Sequence, residues 1–281
     1  KENMSLEFIN EANNLIQKTM NLNDEIISQE ALEYIKLNKN KLVNLFLVQQ
    51  NTSKKMYCLA GSPGAGKSEI AQTISNAKNI DIIEADEIRK ICPHYNGKNS
   101  NLFQKASSKG VNILVDTAFK KEYSFILDGN FSELRLQEEN ISKATKKNYD
   151  IEIYFIYRPL EIALEYTQIR EEKEGRNIPK NIFYRKFIDS IKTVNSIVKT
   201  YANVKVTFYD LNKKTYEVIN SLDDIIKKDL SFKNDIIKAE LILEDIKKEQ
   251  IKDKILPLKP NIKTNYQPRN KIKTNNKDIE R

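Results

Sequence analysis

Three of the chain's 7 glycines fall within one short run, Gly61-Ser62-Pro63-Gly64-Ala65-Gly66-Lys67-Ser68, with Glu69 next. The spacing is G-x-x-x-x-G-K-[ST], directly after an apolar strand and directly before a helix. Glycines here let successive backbone N–H groups turn inward toward a polyphosphate. The helix that opens at Lys67 adds its N-terminal dipole and free donors. Lys67 is placed to reach the β- and γ-phosphates and Ser68 to hold Mg²⁺. For a chain of this composition, chance matches number on the order of 0.003. The run therefore reads as a nucleoside triphosphate site.

Such a loop serves switches, motors and kinases alike, so the acceptor-side residues must decide the reaction. The second apolar run ends Ile82-Ile83-Glu84-Ala85-Asp86-Glu87-Ile88-Arg89, which sets acids at the carboxyl edge of a sheet, where ligands bind. Asp86 there can take a proton from a substrate hydroxyl, or cap the helix Glu87 to Ile91, or do both. The third run closes Phe125-Ile126-Leu127-Asp128-Gly129-Asn130. Asp128 can support Mg²⁺ from a Walker-B position or open a simple turn. A helix from about Leu160 to Glu174 carries Arg170, and Gly175-Arg176-Asn177-Ile178-Pro179 follows. Arg170 and Arg176 form either a charge-supplying lid or a solvated surface. The chain holds no Asn-Lys-x-Asp guanine motif, which argues against a GTPase.

These residues need a frame. Five short apolar runs, Met56 to Ala60, Ile80 to Ala85, Phe125 to Leu127, Ile151 to Tyr157 and Val204 to Tyr209, alternate with helical stretches. That pattern predicts an α/β fold: a parallel sheet of about five strands with helices on both faces. Residues 1–50 read as an N-terminal helical segment packed on the kinase-like body, with Asp24 and Ser28 as candidate caps. The body spans 51–230, closing on a helical stretch from Tyr216 to Asp229. A further helix covers 231–247, and 248–281 is a basic tail.

Composition narrows the class. The net charge of +8 is concentrated in the tail, where ten Lys/Arg face four Asp/Glu. Its polar content fits a solvated, disordered extension or an arm touching polyanions non-specifically; nothing in the body calls for nucleic acid. Two cysteines and one histidine exclude a disulfide framework and a Cys/His zinc cluster. With no long apolar run and no signal-peptide pattern, a cytoplasmic protein without a membrane span is expected.

Taken in order, the motifs resemble the zeta toxin family of small-molecule kinases. The resemblance rests on Ala60 to Glu69, Ala85 to Arg89 with Tyr95-Asn96-Gly97-Lys98-Asn99-Ser100, Leu127 to Phe131, and Arg170 to Lys180, and spans roughly Asp24 to Asp210. It implies transfer of phosphate from ATP or GTP, with Mg²⁺, to a sugar hydroxyl of UDP-N-acetylglucosamine. The dead-end product would starve peptidoglycan synthesis, and a separate antitoxin would restrain the enzyme. Lys67, Ser68 and the rest of the loop would hold the donor, and Asp86 would be the base. Arg170 and Arg176 would stabilise γ-phosphate charge. Asn96, Lys98, Asn99, Asp128 and Asn130 would face the acceptor, and Gln104, Lys105 and Ser108 lie close behind them in sequence. His94 reads as a surface residue. Asn130 departs from the family, which usually has Thr there; a planar amide is longer than a hydroxyl and alters sugar or diphosphate placement. The alternatives are a kinase of another small-molecule or polynucleotide acceptor, and a catalytically impaired nucleotide-binding interaction protein.

Overall fold

The computed structural model describes residues 6–175 and 178–255. Its centre is a six-stranded sheet made by β1 (Lys55–Ala60), β2 (Asp81–Glu84), β3 (Phe125–Asp128), β4 (Asp150–Tyr157), β5 (Val204–Asp210) and β6 (Thr215–Ile219). Strand order is β2-β3-β1-β4-β5-β6. The first five pair in parallel and β6 runs antiparallel to β5 along the edge. The five apolar runs are thus the parallel strands, as their near-continuous hydrophobicity requires when both faces are covered.

Alternation along β1 divides the core between the faces. Met56, Cys58 and Ala60 point into the main cluster. Tyr57 and Leu59 point into a smaller one beneath α3 (Lys67–Lys78), with Ala71 and Ile74. The main cluster gathers residues from α1 (Leu6–Leu37), α2 (Lys39–Phe46), α5 (Gln104–Lys121), α6 (Leu134–Lys146), α7 (Leu160–Glu174), α8 (Lys180–Thr200), α9 (Leu222–Lys228) and α10 (Leu230–Ile255). The remaining helix, α4 (Ala85–Lys90), is a short turn leaving β2.

Three expectations change. Asp24 and Ser28 cap nothing, because α1 runs unbroken through both; Ile27, Ala31 and Ile35, three to four residues apart, pack on the core and fix one continuous helix. The stretch from Tyr216 to Asp229 is not one helix. Its first part is β6, and α9 begins only after Ser221, which forms a capping box with Asp224. Asp86 is not a helix cap either: Glu84 holds that position and Asp86 lies in the first turn of α4. The C-terminal helix is longer than its sequence pattern suggested, and most of the basic tail lies outside the described residues. No helix among the described residues is long and apolar enough to cross a membrane.

Candidate active site

The phosphate loop leaves the central strand and enters α3, so every group it presents is held by the sheet. Its glycines are places of close approach. A Cβ on Gly61, at φ +127°, would stand 2.2 Å from the Ile156 carbonyl oxygen of β4, so no larger residue fits without moving the strand. The Gly61 N–H donates to the Asn130 carbonyl at 3.4 Å, which ties the loop to the end of β3 through backbone. Ser62, Pro63 and Ala65 are buried in the loop, while Ser68 and Glu69 are exposed at the start of α3.

Lys67 is only 9% exposed. Its Nζ donates to the Ser62 carbonyl at 2.6 Å and the Gly61 carbonyl at 3.3 Å. Burial pulls its pKa down to about 8, with Asp128 opposing and Lys186 and Arg170 adding to the fall. An ammonium stripped of water is primed for an anion, since a phosphate oxygen replaces the lost solvation. Asp128 ends β3 beside it. Burial raises the Asp128 pKa, opposed by Lys67 and by a hydrogen bond from Ser68. Its Oδ2 is buried with no hydrogen-bond partner.

Parallel pairing places Glu84 opposite Asp128 at the ends of β2 and β3. Burial, then the charges of Asp128 and Asp86, push the Glu84 pKa up to about 7. Two residues on, Asp86 accepts from Arg89 Nη1, and its Oδ2 lies 4.0 Å from Arg170 Nη2 on α7. Arg89 is buried and its Nη2 donates to Gln104 Oε1 at 2.7 Å. Gln104 Nε2 in turn donates to Ser108 Oγ at 3.3 Å. A base, a buried arginine and a glutamine from α5 thus form one braced row.

The loop 95–100 meets the end of α7. A Cβ on Gly175 would lie 2.6 Å from Lys98 Cγ, which puts Lys98 against the segment that follows Arg170. Asn96 and Asn99 accept each other's backbone N–H at 3.0 and 3.1 Å, and Asn99 also donates to the His94 carbonyl at 2.9 Å. Their amides brace the loop that carries Lys98. Lys105 is exposed, and His94 sits on the surface, 3.2 Å from Glu30. Arg176 and Asn177 lie outside the described residues.

Lys67, Ser68, Asp128, Asp86 and Arg170, singled out by sequence, therefore converge at one end of the sheet. Sequence reasoning gave no role to Arg89, Glu84 or Lys186. The i, i+3 spacing of Asp86 and Arg89 was a signal for the first; Lys186 reaches the site only because α8 folds back along the sheet. Among the described residues, no three His, Cys, Asp or Glu side chains converge to hold a metal alone. One hydroxyl and one carboxylate with a free buried oxygen fit Mg²⁺, which takes most of its ligands from phosphates and water.

The family model for the zeta toxin matches residues 40–222. A solved structure described as the PezAT chromosomal toxin-antitoxin system of Streptococcus pneumoniae shares 18% identity, covering 77% of this chain and 95% of that one, with a TM-score of 0.56. A native AvrRxo1-ORF1:-ORF2 complex shares 14% identity over 76% of this chain and 84% of that one, with a TM-score of 0.50. No curated protein matches. The structural likenesses show the fold, and the family model, spanning the sheet from before β1 to the start of α9, shows that the chain belongs to the zeta toxin family of P-loop kinases.

Proposed function

We propose that this kinase transfers the γ-phosphoryl group of ATP or GTP, with Mg²⁺, to a sugar hydroxyl of UDP-N-acetylglucosamine, and that a separate antitoxin chain restrains it. The observation that supports this most is the position of Asp86, paired with Arg89 on one oxygen and 4.0 Å from Arg170 on the other, at the sheet edge beside the loop lysine. A carboxylate held between two guanidinium groups is a weak base. Transfer through a loose transition state needs orientation more than base strength, because the hydroxyl acidifies as its bond to phosphorus forms.

In this reading the loop N–H groups and Lys67 hold the β- and γ-phosphates. Ser68 and Asp128 would hold Mg²⁺, which neutralises charge on the bridging oxygens. Arg170, Lys186 and Lys98 supply cations around the transferring group and the acceptor's diphosphate, and Arg176 belongs to the same set by sequence. The antitoxin follows from family membership and from the S. pneumoniae relative, described as a toxin-antitoxin system. Cytoplasmic residence fits a soluble nucleotide-sugar acceptor.

The test is incubation of the full chain with ATP, Mg²⁺ and UDP-N-acetylglucosamine, read by mass spectrometry. One added phosphate in the wild type, lost in Asp86→Asn, supports both acceptor and base. ATP turnover onto a different acceptor in a wider screen would replace the acceptor. Absence of transfer to any acceptor would leave a nucleotide-binding protein without kinase activity.

A further inference from the structure

The phosphate loop sits on the central strand and has two flanks. On one side β3 and β2 end in Asp128, Glu84 and Asp86, where the proposed acceptor and γ-phosphate meet. A nucleoside triphosphate has its base at the far end from the transferred group, so the base must leave over the opposite flank, where β4 and β5 end. Adjacent strands are about 4.8 Å apart, so residues just past β4 lie within reach of a nucleotide bound to the loop.

Two side chains meet there over Gly66. A Cβ on this residue, at φ +95°, would stand 2.7 Å from Leu211 Cδ1 and 3.2 Å from Arg158 Nη2. Neither is explained by the phosphate or acceptor chemistry. Arg158 follows the last residue of β4 and precedes Pro159, which restricts it to extended backbone. Its guanidinium lies 4.4 Å from the centroid of the Tyr166 ring on α7, a cation–π contact that limits its rotamers. Leu211 is fixed just as firmly: its N–H donates to the Tyr157 carbonyl at 3.0 Å. Buried Asp210 accepts from the Asn212 and Lys213 N–H groups at 2.9 and 3.0 Å and so shapes the turn. Lys213 then bonds Asp229 ahead of α10. The result is a rigid platform of one planar cation and one branched apolar group, flush with the loop.

We propose that Arg158 and Leu211, backed by Tyr166, form the stacking platform for the purine base of the phosphoryl donor. The inference rests on the nucleotide-donor reading above and adds the base subsite to it. A guanidinium plane and a leucine read the π-face of a base and not its hydrogen-bonding edge, so the platform serves adenine and guanine alike.

The experiment is calorimetric titration of the full chain, in Mg²⁺, with ATP, GTP and inorganic tripolyphosphate, for wild type, Arg158→Ala and Arg158→Lys. Arg158→Ala is expected to weaken ATP and GTP about tenfold, the size of a lost base stack, while tripolyphosphate stays within about twofold. Arg158→Lys keeps the charge but not the plane, and should lose most of the same factor. Retained tripolyphosphate binding also reports that each variant is folded. Equal weakening of all three ligands would make Arg158 a phosphate contact or a structural residue and overturn the platform. Unchanged nucleotide binding in both variants would overturn it too, leaving the donor reading intact. Wild type that binds neither nucleotide nor tripolyphosphate would instead remove the donor reading, and the platform with it.

Discussion

Asp86 and Asn130 raise opposite questions at the scale of single residues. Asp86 is positioned by others, through Arg89 to Gln104 and across to Arg170. Asp86→Asn keeps the shape and removes proton acceptance, so transfer should fall by about 10²- to 10⁴-fold with ATP affinity nearly unchanged. Single-turnover phosphorylation beside equilibrium binding measures both, and a matching loss of affinity would mean that Asp86 serves the donor. Asn130 contributes its backbone carbonyl to the Gly61 N–H, a role that any side chain permits. Asn130→Thr should therefore leave nucleotide binding and melting temperature unchanged while altering KM for the sugar acceptor. If the acceptor KM also stays fixed, the side chain does not face the substrate.

At the scale of elements, α7 matters most because it carries Arg170 and Tyr166, and its start is held by one distant carboxylate. Asp235 on α10 accepts from Tyr157 Oη at 2.8 Å and from the Leu160 N–H at 2.9 Å. Asp235→Ala leaves a partly buried hydroxyl and a helix-start N–H without that acceptor, and should cost about 1–3 kcal/mol in urea unfolding. The direction of α7 would loosen with it, so Arg170 should lose part of its effect on transfer. A normal unfolding midpoint would show water replacing the carboxylate freely. Such a tie, 75 residues long in sequence, was not legible beforehand. The parallel strands and the loop were legible, because strands buried on both faces read as apolar runs and the loop's glycines are a local motif. Edge strand β6 was not: Tyr216 and Val218 point outward at 69% and 72% exposure, so its apolar residues carry no burial signal. In the site, the lysine, the serine and the acids could be read from local spacing. Lys186 and Arg158 could not, since only the packing of α8 and the approach of β4 to Gly66 bring them in.

Phe232 of α10 joins the pieces at the scale of the whole molecule. Its ring lies edge-on to Tyr157, Phe155, Phe187 and Phe208 at 5.0 to 6.0 Å, linking α10 and α8 to β4 and β5. Phe232→Ala should cost about 3–5 kcal/mol. Two buried thiols offer a readout of this cooperativity. Burial pushes Cys58, on the central strand, up to about 12 and Cys92 up to about 11. The sign is favourable to the fold: each raised pKa stabilises fully below the ordinary thiol value of 9.0 and is lost as pH rises through the folded value. At pH 8 the native thiols are therefore protonated and shielded, and Cys58 reacts with iodoacetamide only through global opening. Its alkylation rate then tracks the unfolding equilibrium, so Phe232→Ala should raise it by more than about 100-fold. Mg²⁺ and ATP at 100 times Kd should slow it about 100-fold, by binding only the folded chain. Mass spectrometry over time resolves the two cysteines. A Cys58 rate that ignores ATP while calorimetry shows binding would mean that the central strand opens without releasing the phosphate loop, and that the sheet is not the single cooperative unit its shared aromatic core implies.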